Sequence, residues 1–169
     1  MAITFHFLSA SGALHAEFKT RVYAALEVCV QTCSAKLVLG DLDVVVMAAP
    51  KRCVIPQLGV SGYAYDAHHI LLQLDPDHDS LAQNLEHRVS ALLAHELHHC
   101  ARSLACGGLT GTFGEALVSE GLACCFEEEI VGVTPFYAIE CMGTLCNRVY
   151  GDRFTPICRK GQSACRCAL

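Results

Sequence analysis

Residues 94–99 read Ala-His-Glu-Leu-His-His, so His95, Glu96 and His99 stand at H-E-x-x-H spacing. A helix turns about 100° per residue, and side chains four apart differ by only about 40°. His95 and His99 therefore leave one helix face a single turn apart, where two imidazole nitrogens can reach one Zn²⁺ at about 2.0–2.1 Å. Glu96 stands about 100° round from His95, beside such an ion, in the place for a carboxylate that takes a proton from water. His98 lies about 60° to the other side of His95 and reads as a rim or surface histidine. Arg102 falls within about 20° of the His95 direction, one turn beyond His99. It could orient a further carboxylate, bind a carboxylate of a substrate, or simply be solvated.

A catalytic zinc takes three protein ligands and keeps one position open. Candidates for the third are Glu115, Glu120 and Glu127, the last of which opens an acidic run at 127–129. Glu120 is flanked by Leu117, Val118 and Leu122, and an isolated carboxylate in an apolar stretch is costly unless paired or bound to metal. Glu115 falls near a helix start, where the helix dipole alone favours an acid. Glu128 and Glu129 read as a solvated face, and Glu127, two turns from Glu120, suits a supporting contact. Glu120 is the expected third ligand. Tyr63, His68, Tyr137 and Tyr150 are the candidates for stabilising an oxyanion, and the sequence does not choose among them.

These residues need a scaffold, and the periodicity supplies one. Alternation predicts a strand at 3–8, and apolar residues at helical spacing predict a helix at 12–34. Strands follow at 43–49 and 69–74, separated by a glycine-bearing loop or hairpin at 58–66. A long helix capped by Asp79 or Ser80 should run to about 104 and stop at Gly107 and Gly108. Leu85, Val89, Leu92, Leu93 and Cys100 lie on its Glu96 side, which points the histidines at a core edge. A helix over 112–130 ends before Gly132, and a weaker one covers 136–149. The order argues an α+β fold, with a small mixed N-terminal sheet followed by helices. A single domain at 1–150 and a Cys- and Arg-bearing tail at 151–169 are expected.

The chain has 169 residues, 53% hydrophobic and 17% charged, which suits a packed core and excludes a disordered chain. It lacks a run of about 18 apolar residues, so no membrane span is expected. The net charge is −5 and no basic stripe follows a helix, which argues against nucleic acid. Up to position 147 there are seven basic and sixteen acidic residues, and beyond it five basic and one acidic. The N-terminus lacks a basic leader and His6 interrupts its apolar run, so a cytoplasmic location is expected. The twelve cysteines include no C-x-x-C pair and read mostly as buried thiols.

The HELHH segment, followed after 20 residues by Glu120 in an E-G-L-A segment, resembles the gluzincins. More closely, the segments at 5–12, 58–77, 94–102 and 115–132 resemble the predicted Zn-dependent proteases of the domain of unknown function 2268. The resemblance implies a zincin-like single domain and a zinc metallopeptidase acting on peptides or proteins. It implies one Zn²⁺ per chain held by His95, His99 and Glu120, with Glu96 as general base. Where some gluzincins carry an Asp four residues after the glutamate ligand, this chain has Cys124. Resemblance and chain order together suggest that the strand at 69–74 is a sheet edge open to a peptide. The alternatives are a non-catalytic zinc-binding regulatory module on the same fold and a hydrolase of a non-peptide amide.

Overall fold

Alternation at the N-terminus produces strand β1 (Ile3–Leu8), with Ile3, Phe5 and Phe7 turned toward the core. In the computed structural model, which describes residues 1–108, 111–135 and 138, helix α1 (Ala16–Ser34) follows. It begins four residues later than the spacing suggests because Gly12 closes a turn onto the Ser9 carbonyl at 3.0 Å. Strand β2 (Leu42–Ala48) lies parallel to β1, and β3 (Val60–Ala64) and β4 (His69–Leu74) form a hairpin. The sheet order is β1-β2-β4-β3, with β2 and β4 parallel. This mixed sheet followed by helices agrees with the α+β expectation.

The edge assignment needs correction. β4 is paired on both sides, by β2 and by β3, so it cannot accept a peptide. The short connection at 65–68 forces an antiparallel hairpin, and β3, expected as loop or hairpin, becomes the outer strand. Val44, Val46, Ile70, Leu72 and Leu74 point to one face and are buried there with Val22, Leu26, Leu93 and Leu97 from the helices. On the other face Thr4, His6, Asp43, Tyr63 and His69 are exposed.

The expected long helix is two helices. α2 (Asp79–Gln83) is capped by His78, whose ring accepts from the Leu81 amide, so neither Asp79 nor Ser80 is the cap. Asn84, at φ −127° and ψ 29°, breaks the helix before α3 (Leu85–Cys106). α3 ends at Gly107 with φ 73°, a left-handed cap that other residues adopt at a cost. α4 (Phe113–Val131) starts with a capping box in which Thr112 and Glu115 bond reciprocally.

Cys29, Cys33 and Cys100 are buried, Cys124 is half-buried, and Cys53, Cys106 and Cys125 are exposed. The buried-thiol reading thus holds for three of the described cysteines, those on the inner faces of α1 and α3. Met1–Pro135 form one compact unit. The expected helix at 136–149 and the boundary between 1–150 and 151–169 lie outside the described residues. Among the described residues no helix is long and apolar enough to cross a membrane.

Leu72 is fully buried in the sheet's helix-facing layer. Leu72→Ala should lower unfolding free energy by about 2–5 kcal/mol, read from urea denaturation.

Candidate metal centre

α3 carries His95 and His99 on its buried face, one turn apart, as the spacing requires. Their Nε2 atoms lie 3.1 Å from each other. α4 packs across α3 and brings Glu120 to them, with Oε2 at 3.2 Å from His95 Nε2 and Oε1 at 3.4 Å from His99 Nε2. The three side chains offer donor atoms all within 4.8 Å of one another. A tetrahedral ion with bonds of about 2.0–2.1 Å sets its ligands about 3.3–3.4 Å apart. The observed separations match that triangle, and two imidazoles with one carboxylate suit a zinc-type ion. The residues therefore fit a metal.

The second ring nitrogens are also engaged. His95 Nδ1–H donates to Glu127 Oε2 at 3.1 Å, and Glu127 is buried. His99 Nδ1 lies 3.1 Å from Ser119 Oγ. With Nδ1–H donating in both rings, both Nε2 lone pairs face the triangle. Glu127 fills the supporting role read from its two-turn spacing, whereas Ser119 was missed. Its signal was only its place beside Glu120. The Cys124 thiol also contacts His95, from the position where some gluzincins have Asp.

Electrostatics follow from this crowding. Burial opposes charge on His95, but hydrogen bonds to Cys124, Glu120 and Glu127 outweigh it and raise its pKa to about 12. The same bonds to His95 and His99 hold the Glu120 carboxyl well below the usual carboxylate range. Without a metal, a proton on His95 thus offsets the cluster's negative charge, and a bound cation would displace it.

Glu120 converges on the two imidazoles without the burial that its apolar neighbours in sequence suggest. Its side chain is 61% exposed, and Leu117 and Val118 are exposed as well. The apolar stretch on this half of α4 is not a buried one, and the two imidazoles orient the carboxylate. Glu115 is committed to the capping box. Glu129 pairs with Lys36 at 2.6 Å, on the solvated side expected of it.

Glu96 is buried, and burial raises its pKa against the lowering fields of His95 and His99. The Ala64 backbone on β3 hydrogen-bonds its carboxylate. Gly62 leaves space for it: a Cβ there would stand 2.6 Å from Glu96 Oε1 and 2.8 Å from Cγ. The outer strand therefore grips this acid by its backbone, a contact absent from any local sequence pattern. His98 is not a surface group. It is half-buried against Phe126 with ring centroids 5.7 Å apart, its Nδ1 has no partner among the described residues, and burial pushes its pKa down to about 4. α4 covers the helix side that the wheel left open.

Of the oxyanion candidates, Tyr63 stands on the opposite face of β3 from Gly62 and packs on Tyr65. His68 bonds the Asp41 carbonyl at 2.8 Å, and Tyr137 and Tyr150 lie outside the described residues.

The chain matches the predicted Zn-dependent protease family (DUF2268) over residues 22–143 and belongs to that family. That span holds β2, β3, β4 and α3 with α4, and so every side chain of the cluster. No curated protein and no solved structure matches the chain.

Gly62→Ala should displace the Glu96 carboxyl and cost about 1–3 kcal/mol of stability by overpacking. Thermal denaturation checks this against Gly111→Ala, where the added methyl meets nothing within 4 Å.

Proposed function

We propose that this member of the predicted Zn-dependent protease family is a zinc metallopeptidase of zincin-like fold. One Zn²⁺ per chain is held by His95, His99 and Glu120, and Glu96 is the general base. The observation that carries the reading is the triangle of donors at tetrahedral spacing beside a buried, strand-held carboxylate. When bound, such an ion acidifies water and polarises a carbonyl.

The rest of the chemistry belongs to the chain. Glu96 accepts a proton as water attacks the peptide carbonyl carbon, and returns it to the nitrogen as the C–N bond breaks. Its raised affinity for a proton suits both transfers. The backbone contact to Ala64 and the space at Gly62 keep its carboxyl in place. Glu127 and Ser119 orient the two imidazoles through Nδ1. On the outer edge of β3, Val60 accepts from the Ile55 amide and Ala64 holds Glu96, which leaves the Gly62 main chain between them to an extended peptide, and its closeness to Glu96 supports cleavage of a strand laid there.

Purified protein should contain one zinc per chain by elemental analysis and cleave members of a fluorogenic peptide library. A chelator should abolish cleavage, and added zinc should restore it. Glu96→Gln should keep its zinc and lose about 10²–10⁴-fold in kcat. Glu120→Ala should lose the metal. Undiminished cleavage by Glu96→Gln would overturn the reading, as would full zinc retention by Glu120→Ala.

Glu127→Gln should weaken zinc affinity by about 10–100-fold in a competition titration, and Ser119→Ala should weaken it in the same direction. Unchanged affinity in both would remove their orienting role.

A further inference from the structure

We propose that Arg102 receives a carboxylate of the substrate, which makes acid-bearing peptides the preferred substrates; the inference rests on the metallopeptidase reading above. Arg102 lies on α3, seven residues after His95 and three after His99. It therefore shares their face and stands about 7–8 Å along the helix axis from their midpoint. At about 3.3–3.6 Å per extended residue, that separation spans about two residues of a bound peptide.

Among the described residues two acids could have used this charge, and neither does. The Glu120 oxygens face His95 and His99. Glu115 is engaged by the Thr112 amide and hydroxyl at 3.1 and 2.6 Å. Arg102 favours the ionised form of Glu115 only through its field. Among the described residues it makes no hydrogen bond and no ion pair within 4 Å. It is nonetheless half-buried, so its five N–H donors are not simply spread into water. Glu96, Glu120 and Glu127 are three carboxylates against the two positive charges of the ion that this reading assumes, so the site carries no surplus of positive charge for an acidic peptide. Arg102 supplies it, and the fork of a guanidinium matches a carboxylate in two parallel hydrogen bonds.

The carboxylate can be the peptide's own C-terminus or an Asp or Glu side chain, and four N-terminally labelled peptides of one sequence separate these. One pair compares a free C-terminus with its amide, and the other, blocked at both ends, compares an internal Glu with Gln. Binding is read by fluorescence anisotropy on zinc-loaded Glu96→Gln, and turnover on the wild type. The carboxylate form of at least one pair should bind about tenfold more tightly. That preference should vanish in Glu96→Gln/Arg102→Gln and partly return in Glu96→Gln/Arg102→Lys, with zinc content unchanged. Discrimination within the first pair assigns the C-terminus, and within the second an acidic side chain. Equal binding within both pairs overturns the proposal, as does a preference that survives Arg102→Gln, or no binding of any peptide. Binding with the expected preference but no wild-type turnover would sink the peptidase reading and leave the carboxylate site standing.

Discussion

Two imidazole nitrogens 3.1 Å apart with a carboxylate against both form a contact that nothing apolar stabilises. A proton or a metal ion among the donors relieves the opposition of their lone pairs. Everything nearby serves that crowding. The i, i+4 register of α3 fixes the ring spacing, α4 supplies the opposing acid, and Glu127 and Ser119 take up the ring donors that would otherwise point into a buried space. Site and helix–helix packing are thus one construction. The residues that hold α4 on α3 are partly the polar ones, because Leu117 and Val118 remain exposed beside Glu120.

What could be read from the sequence was what depends on local geometry. The pair His95 and His99, the side occupied by Glu96, the stop at Gly107 and the helix start near Glu115 follow from angles and dihedrals a few residues long. The Glu127 contact was legible for the same reason, since two helical turns separate it from Glu120. The apolar neighbours of Glu120 suggest a burial that the exposed half of α4 does not support; what sets it apart from Glu115 is that Glu115 is used at the helix start while Glu120 faces the imidazoles.

What escaped depends on how distant segments meet. Sheet order is not encoded in any one strand, so the sequence suggests β4 as an edge and leaves β3 open between loop and hairpin. The half-burial of His98 depends on which side α4 covers, and Ser119 acquires meaning only once His99 is beside it. Asn84 broke a helix whose apolar pattern continues through it. For His98 and Ser119 the hydrophobic period named the helix correctly, and a tertiary neighbour decided the role of the residue.

The division of labour between strand and helices has a consequence for how the proposed chemistry would be kept accurate. The donors of the triangle belong to α3 and α4, while the carboxyl of Glu96, although carried by α3, is held by the backbone of β3. A general base anchored on one helix alone would follow that helix's small motions. Held at both ends, it keeps a fixed position relative to the sheet edge as well as to the donor triangle. A peptide added to β3 would be positioned by the strand that already positions the base. The orientation of the bond to be cut and of the group that moves its proton would then share one reference frame, the geometric condition for efficient proton transfer. Glycine at position 62 is what allows that frame to close, since any side chain there would occupy the place of the carboxyl.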